Sequence, residues 1–173
     1  TEDNRVRHMD YGVQFNKLMY ERLLEGGDIT LFSPHDVPEV YDAFFNNQDK
    51  FKELYEQAER KTSIRKKTIP AVDLFSAFVQ ERKDTGRIYL QNVDHANTHG
   101  AFMEEVAPIK QSNLCCEIDL PTKPLNDVND PEGEISLCTL SAVNWGAIKS
   151  LESMENVCDL AVRGLDELLD YQE

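Results

Sequence analysis

Between Pro108 and Pro121 the chain places an amide, a thiol and a carboxylate at every second position: Asn113, Cys115 and Glu117. The bounding prolines, Ile118 and the short length predict an extended segment over 113–118. Side chains on a strand alternate faces, so the three polar groups are expected on one face. They would lie within about 7 Å of each other, at roughly 3.3 Å per residue. Leu114, Cys116 and Ile118 would form an apolar face behind them. The expected set is a reactive sulfur flanked by a hydrogen-bonding amide and a proton acceptor. The plainer reading of the same residues is a cysteine packed as a small hydrophobe, with Asn and Glu turned to solvent.

A second sulfur, Cys138, falls in a predicted strand over 134–140. Cys158 lies on the apolar stripe of a predicted helix and reads as core. The run His95-Ala96-Asn97-Thr98-His99 invites a zinc reading, since two histidines at i and i+4 share one helical face. Against zinc, no Cys-x-x-Cys pair is present, Cys115 and Cys116 are vicinal, and Asn97 and Thr98 disfavour a helix there. No metal site is expected in the chain.

Several longer words carry a family resemblance. Gln111-Ser112-Asn113-Leu114-Cys115-x-Glu117-Ile118, followed by Leu120-Pro121-Thr122-Lys123-Pro124-Leu125, resembles the finger loop of the large catalytic subunit of class Ia ribonucleotide reductase. Leu137-Cys138-Thr139-Leu140-Ser141-Ala142 is similar to that family's second active-site cysteine segment. Thr85-Gly86-Arg87-Ile88-Tyr89, Asn92-Val93-Asp94-His95-x-Asn97-Thr98-His99 and the first eleven residues, Thr1 to Tyr11, are similar too. The resemblance runs the whole length in register. Cys116 departs from it, standing where an aliphatic residue is expected.

The resemblance implies a fold: part of a ten-stranded α/β barrel with the finger loop at its centre and a helix-rich N-terminal part. It also implies a reaction, the reduction of ribonucleoside diphosphates to the deoxy form by thiyl-radical chemistry. In that reading Cys115 carries the thiyl, Glu117 is the general base and Asn113 orients the substrate. Residues Asn113, Leu114, Cys115, Cys116 and Glu117 contact the substrate. Cys138 is one half of a redox dithiol whose other cysteine lies outside the chain. The implied partners are the remaining large-subunit segments, a small subunit with a di-iron tyrosyl radical, and a thioredoxin- or glutaredoxin-type reductant. ATP and dNTP effectors are expected to bind outside this segment. The chain is then an internal fragment, active only with its missing neighbours. Two alternatives stand beside it: a non-catalytic acidic interaction module and a small zinc-binding domain.

Positioning these groups falls to a mixed set of predicted elements. Apolar spacing predicts a helix over 4–25 closed by Gly26-Gly27, and a strand over Ile29–Phe32. Helices are expected over 36–47 and 48–60, then a polar, basic linker from Arg60 to Lys67. Pro70 is expected in the first turn of a helix reaching about Lys83, closed by Asp84-Thr85-Gly86. Arg87–Leu90 reads as a strand, and a loop carries Asn92, Asp94, His95, Asn97 and His99. A loop spans Pro121–Gly133. Residues 143–148 lead into a final amphipathic helix over 151–170. In outline, 1–86 is mainly helical, 87–148 carries strands and the finger loop, and 151–170 is a helix.

With 32 acidic against 18 basic residues the net charge is −14, and only Arg65-Lys66-Lys67 clusters positive charge. That argues against a nucleic-acid partner. No apolar run approaches the roughly 18 residues of a membrane span, so no membrane partner is expected. Four cysteines, two of them adjacent, do not form a secreted disulfide framework, and a reducing cytoplasm fits.

Overall fold

In the computed structural model, which describes Val6 and residues 8–171, the chain opens with β1, Tyr11–Phe15, and then α1, Lys17–Leu24. This corrects the single helix expected over 4–25, whose positions Asn4, Arg5 and Arg7 lie outside the described residues. The spacing of Val6, Met9 and Val13 imitates a helical face. Gly12 and the β-branched Val13, however, both weaken a helix. A strand wins because it has a partner: β4, Ile88–Asn92, runs parallel beside β1 with Gln14 opposite Gln91.

A second pair forms from β2, Asp28–Phe32, and β3, Lys66–Pro70, which run antiparallel with Thr30 opposite Thr68. The linker expected over 60–67 therefore ends in a strand. Pro70 closes that strand, where its missing N–H does no harm, and serves as N-cap of α4, Ala71–Thr85. Helix α4 stops at Gly86, whose φ of 66° is the left-handed conformation that glycine adopts without penalty.

The two short helices fall where expected, α2 over Pro38–Asn46 and α3 over Gln48–Arg60. Asn47 divides them: its side chain accepts from the Lys50 N–H at 2.9 Å and caps α3. Phe15, Leu18, Met19, Ile29, Val40, Phe51, Tyr55 and Ala71 are among the buried residues that join these elements into one core. Phe15 and Phe75 meet at 5.0 Å between ring centroids, which ties β1 to α4.

Tyr55 stands in for a missing strand. Its Oη accepts from the Thr30 N–H at 2.7 Å and donates to the Thr30 carbonyl at 2.8 Å, on the edge of β2 that faces away from β3. Burial pushes this phenol up to about 12. The folded value exceeds the unfolded one, so the contribution is whole below about pH 10 and is lost as pH rises through about 12. Tyr55→Phe strands both Thr30 backbone groups and should cost about 1–3 kcal/mol at neutral pH. It should also flatten the alkaline loss; urea titrations at pH 8 and pH 11 check both effects.

After β4 the expected loop is instead a six-residue helix, α5, Val93–Thr98. Asn97 and Thr98 do not oppose it, because their side chains bond back to the carbonyls of Val93 and Asp94, four residues earlier. Helix α5 also touches α1: the Asp94 carboxylate accepts from the Lys17 N–H at 2.8 Å, at the first turn of α1. The loop over 121–133 is held by Asp130. The Asn126 N–H and then the Glu132 N–H hold its carboxyl below the usual carboxylate range.

Two expected strands do not form. Residues 113–118 make a turn, and of 134–140 only Glu134 pairs, in a single bridge with Lys123. A strand is defined by a ladder of partners, and beyond that one bridge the described residues give neither segment a ladder. The described residues contain no closed barrel. One parallel pair inside a mixed α/β arrangement is what part of a barrel provides.

The chain divides into two units, Thr1–Ser136 and Leu137–Glu173. The second holds Cys138, a 3₁₀ turn over Trp145–Ala147 and α6, Leu151–Asp170. Ser150 and Ser153 cap α6 reciprocally, at 3.1 Å and 3.3 Å. Leu151, Leu160, Val162 and Leu168 are exposed on α6, and no residue of the helix is buried.

Candidate active site

The segment carrying Asn113, Cys115 and Glu117 reverses direction, and Asn113 organises the reversal. Its carbonyl accepts from the Cys116 N–H at 3.1 Å and from Ser112 Oγ at 2.9 Å. Its N–H donates to the Ile118 carbonyl at 3.3 Å, and its side-chain Oδ1 accepts from the Ile118 N–H at 3.1 Å. The amide side chain thus imitates a strand's backbone, which is how Asn competes with regular structure. Cys116 has φ 64°, the one non-glycine in the left-handed region among the described residues. That conformation costs about 1–3 kcal/mol, which the bonds around it must offset.

The alternation expected over 113–118 is therefore replaced by a turn. Cys115 and Glu117 are exposed at its tip, together with Leu114, which was expected on a packed face. Asn113 and Cys116 are half-buried and line a cleft of about 270 Å³ against Gly12, Val13 and Gln14 of β1. Cys116 also borders a second cleft of about 270 Å³, toward Gln91, His95 and His99. The thiol and the carboxylate, two residues apart, are both exposed at the tip, while the amide is spent in part on the turn itself.

The loop is held at both feet by residues that the sequence reading did not single out as functional. Gln14 Nε2 donates to the Lys110 carbonyl at 2.9 Å and to Gln91 Oε1 at 2.7 Å. Gln91 Nε2 donates to Asp119 Oδ1 at 2.8 Å. Asn97 grips Ile109 twice, accepting from its N–H at 2.7 Å and donating to its carbonyl at 2.8 Å. Gln91 and Ile109 are buried, 5% and 2% exposed. A signal existed: polar Gln14 and Gln91 each directly follow an apolar residue inside a five-residue strand and stand opposite each other.

His95 and His99 do lie on one helical turn, with ring centroids 4.7 Å apart. Thr98 Oγ1 sits 2.8 Å from His99 Nδ1. Among the described residues no group of three His, Cys, Asp or Glu side chains is arranged to hold a metal ion. Cys138 is exposed in a stretch of the second unit that carries no regular secondary structure, and Cys158 is half-buried on α6 rather than in a core.

Comparison with known proteins adds a second, independent line. A family model described as the ribonucleotide reductase barrel domain matches residues 1–173. The chain is 64% identical over 172 residues to the ribonucleoside-diphosphate reductase subunit alpha of Haemophilus influenzae, covering 99% of this chain and 23% of that protein. The corresponding subunit of Buchnera aphidicola from Acyrthosiphon pisum is 64% identical over 171 residues, 99% of this chain and 22% of that protein. That of phage T4 is 51% identical over 177 residues, again 99% against 23%. The chain thus spans less than a quarter of the length of these relatives.

Proposed function

Because the chain belongs to the ribonucleotide reductase barrel-domain family, we propose that it carries the radical chemistry of a ribonucleoside-diphosphate reductase large subunit. The observation that carries this reading is the full-length family match, joined to an exposed thiol and carboxylate two residues apart at one loop tip.

The proposed roles follow from the side chains. Cys115, as a thiyl, takes the 3′-hydrogen of the ribose. S–H and activated C–H bonds are close in strength, so the transfer is reversible. Glu117 accepts the 3′-hydroxyl proton, which helps the 2′-hydroxyl leave as water. Asn113 keeps its side-chain NH₂ for substrate hydroxyls, since only its Oδ1 is engaged in the turn. Leu114 and Cys116 complete the contact surface of the loop. Cys138 and a cysteine outside the chain supply two electrons and two protons, becoming a disulfide. Cys115 then regains its thiyl by returning the hydrogen to C3′.

The oxidising equivalent that makes the thiyl is supplied by a di-iron tyrosyl centre in a small partner subunit. Thioredoxin- or glutaredoxin-type proteins restore the dithiol, and ATP and dNTP effectors bind outside this segment. The remaining large-subunit segments are partners in the literal sense, since residues 135–140, expected as a strand, have no strand partner among the described residues. No described helix is long and apolar enough to cross a membrane, and the proposed setting is the cytoplasm, where thiols stay reduced.

The test is conversion of a ribonucleoside diphosphate by the full-length large subunit containing this segment, with its small subunit. Cys138→Ser should still start substrate radical chemistry and then stall, releasing base and falling short of one deoxynucleotide per site. Normal multiple turnover of that variant with a dithiol reductant would overturn the role of Cys138.

A further inference from the structure

Two acceptor-only groups end the hydrogen-bond chain beneath the loop: the Lys110 carbonyl on one foot and the Asp119 carboxylate on the other. Between them stand two primary amides, Gln14 and Gln91, facing each other in the β1–β4 register. An ionised carboxylate can only accept, so Gln91 must turn its NH₂ toward Asp119 and its carbonyl toward Gln14. Gln14 must then present its NH₂ to Gln91, and its remaining N–H reaches Lys110. Every amide orientation is fixed by the two ends, and the chain admits one arrangement only. Gln91 is buried, where an unmatched polar atom is most costly. Independently, Asn97 fixes the peptide of Ile109 by both its N–H and its carbonyl.

We propose that Gln14, Gln91 and Asn97 are positioning residues that clamp both feet of the loop 108–121 and thereby set where Cys115 and Glu117 stand. The inference rests on the catalytic reading above. None of the three needs to touch substrate. They act through the feet of the loop, Gln14 and Asn97 on its backbone and Gln91 on the Asp119 carboxylate, and misplacement of a reacting atom by about 1 Å can cost on the order of a hundredfold.

Polarity makes the clamp testable by inversion. Gln91→Glu sets two carboxylates face to face at the Asp119 foot. Asp119→Asn alone keeps an acceptor there for Gln91. Combined, Gln91→Glu and Asp119→Asn give an acceptor at 91 that receives from both Gln14 and the new amide at 119, so every donor again meets an acceptor and the net charge is that of the parent. Asn97→Asp, at the other grip, turns an oxygen against the Ile109 carbonyl.

The experiment uses the full-length large subunit with its small subunit. Amide exchange of peptides spanning 109–119 is read by mass spectrometry, and kcat and KM are measured in parallel. Gln91→Glu and Asn97→Asp are each expected to speed exchange at least tenfold and to lower kcat about a hundredfold, with KM changed less than threefold. Gln91→Glu with Asp119→Asn should bring both readouts within about threefold of the parent. Unchanged exchange and turnover in Gln91→Glu, or a folded double variant without rescue, would overturn the clamp. Cys115→Ser, assayed beside them, checks the reading beneath: turnover retained there sinks the catalytic assignment whatever the exchange data show.

Discussion

Cys115→Ser should take ribonucleotide reduction to background while leaving the protein folded. Cys115 is exposed at the tip of a turn, so replacing one sulfur by oxygen alters no core packing, and its effect on stability is expected within about 0.5 kcal/mol. The chemical effect is of another order. An O–H bond is much stronger than S–H, so a serine at this position is a far poorer radical acceptor. A barrier raised by only about 4 kcal/mol already slows the step about a thousandfold. The assay is formation of deoxyribonucleoside diphosphate by the reassembled enzyme, with circular dichroism and small-subunit binding measured alongside. Substantial turnover in a folded Cys115→Ser protein would remove Cys115 from the mechanism.

Glu117→Gln is expected to lower turnover by about a hundred- to ten-thousandfold, the usual worth of a positioned general base. The carboxamide keeps the shape and the exposed position at the tip, yet it offers no site for a proton at neutral pH. The loss should therefore appear mainly in kcat. Exchange of the ring hydrogen at C3′ should survive better than net reduction, because the thiyl remains. An unchanged kcat would return Glu117 to the solvent-facing role that its exposure alone permits.

The order of elements was legible wherever local chemistry sufficed. The helices over 36–47, 48–60 and 151–170 follow from apolar spacing and caps, which are short-range properties, and the glycine that closes α4 follows from its freedom at positive φ. The words around Cys115 and Cys138 likewise carried the family, because they are runs of side chains and need no geometry to be read. What failed did so at pairing. Tyr11–Phe15 looked helical until β4 stood beside it. The linker before Pro70 became a strand because β2 was there to receive it. Segments 113–118 and 134–140 looked like strands and, among the described residues, found no ladder beyond the single Glu134–Lys123 bridge. Pairing is a relation between distant residues, so no window of sequence contains it. The thiol and the carboxylate are given by the sequence, two positions apart. Their exposure at one tip was decided by tertiary structure: Asn113 closes the turn, Cys116 takes the left-handed conformation, and Gln14, Gln91 and Asn97 hold the feet from β1, β4 and α5.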